Sequence, residues 1–242
     1  MKIKHFVRIG LVMLLVIMGA SSLLAKDLNF SSPSDAESLD PAVASTMEAI
    51  PRIECFYDTL VTLKGMTTEL APSLATSWEF SKDGMAVTFN LRKGVKFHDG
   101  TELTAEDVRY TYERLLKTSL QSAAKTLGTC TNPQKIFAVD KYTFKIELVK
   151  TNPLLFGVLT TPWCSIMNKA YVTKYATEGD PYALNWMRNH PMGTGPWKFE
   201  KWLMNQRLSM TRNEDYWGEK AHFDRMNINV ISDPAAAQSE SL

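Results

Sequence analysis

Hydrophobic and polar positions change rhythm several times along this chain, and each rhythm predicts a different element. The first run, 9–24, is almost wholly apolar or small and has no period. After Lys26-Asp27, Leu28-Asn29-Phe30 reads as a short strand and Ser31-Ser32-Pro33-Ser34-Asp35 as a loop, because Pro and small polar residues favour turns. Pro51 stands where a helix can begin without losing a hydrogen bond, and Ile53, Phe56, Tyr57 and Leu60 follow at helical spacing. The pattern then becomes β. Trp78 and Phe80 flank Glu79, Lys82-Asp83-Gly84 supplies a hairpin turn, and Val87, Phe89 and Leu91 share one face of the returning strand. His98-Asp99-Gly100 is a second tight turn. Thr104 with Asp107 resembles a capping box, opening a helix with Val108, Tyr112 and Leu115 on one side and Glu106, Arg109, Glu113 and Arg114 elsewhere.

Farther on, 120–133 is polar and small and reads as a surface loop around helical fragments. Tyr142, Phe144, Ile146 and Leu148 alternate with Thr143, Lys145 and Glu147 as another strand, which Asn152-Pro153 ends. Helical sequence returns over 170–176. Gly193-Thr194-Gly195-Pro196 is a turn, since neither a helix nor a central strand accommodates two glycines and a proline. Strands over 197–202, 207–211 and 228–231 close the pattern.

Charge gives the apolar opening a meaning. Lys2, Lys4 and Arg8 precede it with no acidic residue, and Ala25 before Lys26 offers a small-residue exit. That is the layout of a cleaved secretory signal peptide over 1–25. The run is short for a membrane anchor and contains Gly19, Ser21 and Ser22. No Cys stands at the exit to carry a lipid. Losing those three cations takes the net charge of the 242-residue chain from +1 to −2. A nearly neutral chain argues against nucleic acid as a partner, which needs clustered Lys and Arg.

Candidate chemistry is sparse. Beyond the leader the histidines are His98, His190 and His222, with no nucleophile elbow, zinc-protease helix or phosphate loop. Glu106-Asp107 and Glu214-Asp215 fit a helix start and a loop better than an acid/base pair, and Asp99 beside His98 fits a β-turn. No catalytic residue is assigned. The three cysteines form no Cys-x-x-Cys, and no His pair has ligand spacing, so neither metal nor cofactor is expected. Cys55 falls on an apolar helix face, whereas Cys130 and Cys164 flank a strand and are candidates for a disulfide. Binding has more support. Six Trp and eight Tyr offer large contact area at low entropic cost. Trp78, Trp197 and Trp202 lie in predicted strands and read as core. Trp163, Trp186 and the loop Ser45-Thr46-Met47 are the better ligand-facing candidates.

Three stretches carry a resemblance. The first runs from Leu74-Ala75-Thr76-Ser77-Trp78 through Lys82-Asp83-Gly84 to Phe97-His98-Asp99-Gly100 and on to Val108; the second is Gly193-Thr194-Gly195-Pro196-Trp197; the third is Arg212-Asn213-Glu214-Asp215-Tyr216-Trp217-Gly218. With Ser38-Leu39-Asp40-Pro41, their order and spacing resemble the family 5 extracellular solute-binding proteins, the oligopeptide-, dipeptide- and nickel-binding receptors of ABC importers. The resemblance implies an α/β fold of the type II periplasmic binding kind. Lobe one would be discontinuous: an opening segment over 26–54, a β-rich inserted subdomain over 55–160, and a return segment over 161–242. Family members are about twice as long, a size at which chains divide into domains, so the second lobe is expected to lie outside this sequence. The resemblance also implies a periplasmic or extracellular receptor that captures short peptides and docks on ABC permease subunits. Another small solute, such as a nickel chelate or a sugar, or a chaperone-like, non-transport module, are its alternatives. Ser45, Thr46 and Met47 match the loop that touches ligand in dipeptide-binding relatives, and Phe-His-Asp-Gly is expected to turn a strand so that the next helix packs.

Overall fold

The computed structural model describes residues 26–118 and 122–232; the expected leader over 1–25 and Asp233-Pro234 lie outside the described residues. Two four-stranded sheets dominate. The first holds β1 (Asp27–Ser32), β10 (Arg225–Val230), β9 (Arg207–Arg212) and β8 (Trp197–Leu203) in that order. Its outer pair, β1 and β10, is parallel and joins the two ends of the described chain, while the others are antiparallel. The second is fully antiparallel, with order β4 (Ala75–Phe80), β5 (Ala86–Leu91), β7 (Thr143–Glu147), β6 (Ile136–Asp140). A small ladder of β2 (Val61–Leu63) and β3 (Leu70–Pro72) leads into it.

Alternation sets the inner face of the second sheet. Val87, Phe89, Phe144 and Ile146 are fully buried, and the register pairs Val87 with Ile146 and Phe89 with Phe144, the cross-strand contacts that stabilise antiparallel sheets. Gly84 closes the β4–β5 turn at φ 69°, a left-handed value that favours glycine. The helix α2 (Ala105–Thr118) packs on this sheet through Val108, Tyr112 and Leu115. Its start is a capping box, in which the Asp107 carboxylate accepts from the Thr104 N–H and hydroxyl at 2.9 and 2.8 Å.

A second hydrophobic cluster lies against the first sheet, built from Leu39, Ile53, Phe56, Trp197, Leu208 and Met210 among others. The helix α1 (Ala49–Phe56) contributes Ile53 and Phe56. Little backbone separates the two clusters at α2, because Tyr110 belongs to the second cluster and Tyr112 to the first. The remaining helices are short: α3 (Ser122–Gly128), α4 (Leu155–Leu159), α5 (Lys169–Lys174) and α6 (Leu184–Met187).

Three expectations change. The 120–133 segment carries α3, which buries Ala123, Ala124 and Leu127 in the first cluster, so its small residues are core and not loop surface. Cys130 and Cys164 are buried free thiols, and the Cys130 Sγ points at the Leu127 carbonyl, 3.2 Å away. Cys55 is likewise free, and only half-buried. Arg114, grouped by its charge with the polar residues of α2, is completely buried. Its guanidinium forks onto Asp40 at 2.5 and 2.8 Å and donates to the Tyr182 carbonyl at 3.0 Å.

Candidate functional site

The loop that precedes α1 is built by two acidic side chains. Ser38 Oγ accepts the Asp40 N–H at 3.0 Å, and Asp40 Oδ1 accepts the Ala42 N–H at 3.0 Å. The Asp40 carbonyl takes the Val43 and Ala44 N–H groups at 3.2 and 3.0 Å. An Asp that bonds its own backbone two residues on reverses the chain. Glu37 then holds the exit. Its carboxylate accepts the N–H and hydroxyl of both Ser45 and Thr46; the Thr46 N–H and Ser45 Oγ lie 3.0 Å away. Burial alone would push the Glu37 carboxyl up, but the hydrogen bonds from Thr46 and Ser45 outweigh it and hold it at about 2. The Thr46 carbonyl accepts the Ala49 N–H at 3.2 Å and hands the chain to α1.

Four of the five residues singled out in the sequence meet here. Ser45 is exposed and Thr46 half-buried, and Met47 stands 77% exposed at the tip. Trp163, in the short helical turn Pro162–Cys164, donates its indole N–H to the Ala44 carbonyl at 2.9 Å. Its ring packs on the first cluster, so that core supports the back of the loop. Trp186 is placed differently. It stacks on Tyr175 at 4.0 Å and on His190 at 3.7 Å, donates to the Tyr171 hydroxyl at 3.2 Å, and packs against the second cluster.

Glu37 carried no periodic signal. The only trace of its role is an acidic residue followed at eight and nine positions by Ser45 and Thr46, a spacing set by one particular loop and not by a repeat. Asp58 was also silent, although two of the quoted motifs converge on it. It accepts the Thr194 hydroxyl at 2.7 Å, the Trp217 indole N–H at 2.9 Å and the Tyr216 hydroxyl at 3.1 Å. Burial raises the Asp58 carboxyl above its ordinary value despite those three donors. A cavity of about 300 Å³ opens beside it, with Glu54, Thr59, Ser73, Ser165 and Trp217 in its walls.

His98 and Asp99 form a structural turn. Gly100 sits at φ 87°, and its N–H returns to the Phe97 carbonyl at 2.9 Å. The His98 N–H reaches the Gly193 carbonyl at 3.0 Å, and Nε2 meets the Gly195 carbonyl at 3.0 Å. A carbonyl only accepts, so Nε2 carries the proton. Burial lowers the His98 imidazole to about 4. Asp99 instead accepts from Thr101 and from Asn168 at 3.0 Å. Gly193 and Gly195 are required on the far side of this junction: a Cβ on Gly195 would lie 2.5 Å from the Phe56 carbonyl carbon. Arg92 lies over the Trp217 ring, 4.5 Å from its centroid, and Lys93 over Tyr142 at 5.4 Å. Among the described residues no group of three or more His, Cys, Asp or Glu is placed to hold a metal, and no helix is long and apolar enough to cross a membrane.

Residues 69–240 match the family model described as bacterial extracellular solute-binding proteins, family 5 Middle. Heme-binding protein A of Haemophilus influenzae is 32% identical over 192 residues, 73% of this chain and 35% of that protein. The dipeptide-binding protein of Escherichia coli is 29% identical across 96% of this chain and 46% of its own length. In structure, the ABC transporter-associated periplasmic binding protein DppA from Helicobacter pylori, solved in complex with peptide STSA, superposes with TM-score 0.77 at 31% identity. That match covers 90% of this chain and 45% of that one. The chain thus spans less than half the length of these relatives, and its α/β fold is part of the type II periplasmic binding architecture. The junction that ties the Phe-His-Asp-Gly turn to Gly-Thr-Gly-Pro, and the match over 69–240, have one explanation: the chain belongs to family 5 of the bacterial extracellular solute-binding proteins.

Proposed function

We propose that this chain supplies one ligand-facing wall of a receptor that captures short peptides and presents them to an ABC permease. The carrying observation is the loop Ser45-Thr46-Met47, exposed at its tip yet fixed from behind by Glu37 and Trp163. A pre-organised polar loop with an apolar tip suits a peptide, whose backbone offers hydrogen-bonding groups at regular intervals. Similarity to a structure solved with a peptide supports this reading. The ligand would be enclosed by closure against a second lobe, with no bond made or broken, and the closed form would be what the permease recognises. Export by the leader over 1–25 would place the receptor in the periplasm or outside the cell. Under the same reading, 55–160 is the β-rich inserted subdomain between an opening segment and a return segment of lobe one.

A second small-solute reading has its own support, the 32% identity to Heme-binding protein A. Native mass spectrometry of the complete protein isolated from its own cells distinguishes the two. A co-purified mass resolving into short peptides, with a rise in Tm on adding trialanine, is the expected result. A haem or nickel-chelate mass, with no response to any short peptide, would rule out the peptide assignment.

A further inference from the structure

We infer that Met47 is an oxidation switch on ligand capture, in which a peroxide converts its thioether to the sulfoxide and weakens the grip of the loop. The inference rests on the ligand-facing reading of the loop given above. Its first support is exposure. Among the described residues Met47, Met66 and Met204 are the exposed methionines, whereas Met167, Met187, Met210 and Met226 are buried. Met66 lies on the β2–β3 turn and Met204 on the β8–β9 turn, so of the three only Met47 sits on the proposed ligand loop. The second support is that the loop cannot draw this side chain inward. Glu37 holds the backbone of Ser45 and Thr46, and Trp163 holds the Ala44 carbonyl. Met47 belongs to neither hydrophobic cluster. Cysteine, ordinarily the first target of peroxides, is protected in this chain. Cys130 and Cys164 are buried, and burial pushes the Cys55 thiol up to about 12, so little thiolate exists to react.

The step balances with hydrogen peroxide alone. The thioether lone pair attacks one peroxide oxygen, and an S–O bond forms as the O–O bond breaks. Sulfur is oxidised by two electrons, and the second oxygen leaves as water with both peroxide protons. An apolar tip thereby gains a strongly accepting oxygen. That oxygen either gives up its water when the cleft closes over a ligand, or takes the Met47 and Glu48 N–H groups away from the ligand. Neither N–H has a partner among the described residues. Both routes weaken binding. The change is reversible, because methionine sulfoxide reductases, one for each epimer, return the thioether.

The test uses the complete, ligand-stripped protein, with hydrogen peroxide as oxidant and trialanine as ligand. Peptide mass mapping should show sulfoxide at Met47, Met66 and Met204 well before Met187 or Met210. Calorimetric titration after removal of the peroxide should then show trialanine bound about tenfold more weakly, the factor expected for one polar group desolvated without full compensation. The two reductases should restore the affinity. Met66→Leu should lose the same factor as the native protein. Met47→Leu, whatever its own affinity, should bind equally well before and after oxidation. Saturating trialanine should slow oxidation at Met47 and leave that at Met66 unchanged. An undiminished affinity with Met47 fully oxidised overturns the inference and leaves the peptide assignment standing. So does an equal loss in Met47→Leu, or a Met47 as slow to oxidise as Met187. Failure of the untreated protein to bind trialanine overturns both.

Discussion

A guanidinium taken wholly out of water loses several kcal/mol of hydration, which only well-placed partners can return. Arg114 has them: both Asp40 oxygens, the Tyr182 carbonyl and the Met167 sulfur. Removing one partner strands the other charge. Arg114→Ala or Asp40→Asn should therefore lower stability by about 3–5 kcal/mol, read from urea unfolding midpoints. The paired replacement Asp40→Leu with Arg114→Met leaves no buried charge and should cost less than the two single changes added together. The remaining loss comes from the Ala42 N–H and the Tyr182 carbonyl, which lose their partners. A small effect of the single changes would mean that water or another group reaches the site. Neighbouring charges on the same helix are legible from sequence: Glu106, Arg109, Glu113 and Lys117 form an exposed ladder at three- and four-residue spacing. Arg114 is not, since its partner lies 74 residues away and nothing local marks it.

Between elements, the main joint is the pair of turns at 97–100 and 193–196, bridged by His98. Its folded imidazole sits near 4, below the ordinary 6.5. The unfolded chain thus binds a proton through a window in which the folded chain does not. This contribution is fully present above pH 6.5 and is lost as pH falls toward 4. Urea midpoints should decline over that window, and His98→Gln should flatten the decline. An equally steep decline in the variant would assign the effect to other groups. The elements themselves were read unevenly. Strands β5 and β7 announced themselves because one face is buried and the other is not. Strand β6 did not, since Phe137 and Val139 are exposed on the sheet edge and break the expected contrast. Helix α3 reads as a surface fragment because alanine, the residue it buries, is as common on surfaces as in cores.

At the scale of the molecule, α2 belongs to both hydrophobic clusters. Val108, Tyr112 and Leu115 face one, Tyr110 faces the other, and Arg114 pins the same helix to the opening segment at Asp40. Resemblance of motifs supplied the family and the fold class, but a shared helix is a property of packing that no single motif encodes. It has a thermodynamic consequence. If one helix completes two cores, neither sheet can open fully without exposing part of the other's interior, and the two should unfold together. In native-state hydrogen exchange, the slowest amides of β5 and β7 should match those of β9 to within about 1 kcal/mol. In Arg114→Ala the tie through Asp40 is gone, so the sheet containing β9 should exchange measurably faster than that containing β5. Equal slowing in both proteins would place the coupling in the apolar contacts of Tyr110 and Tyr112. Unequal slowing already in the native protein would mean two independently stable halves, and would leave the buried ion pair as a local fastening with no role in joining them.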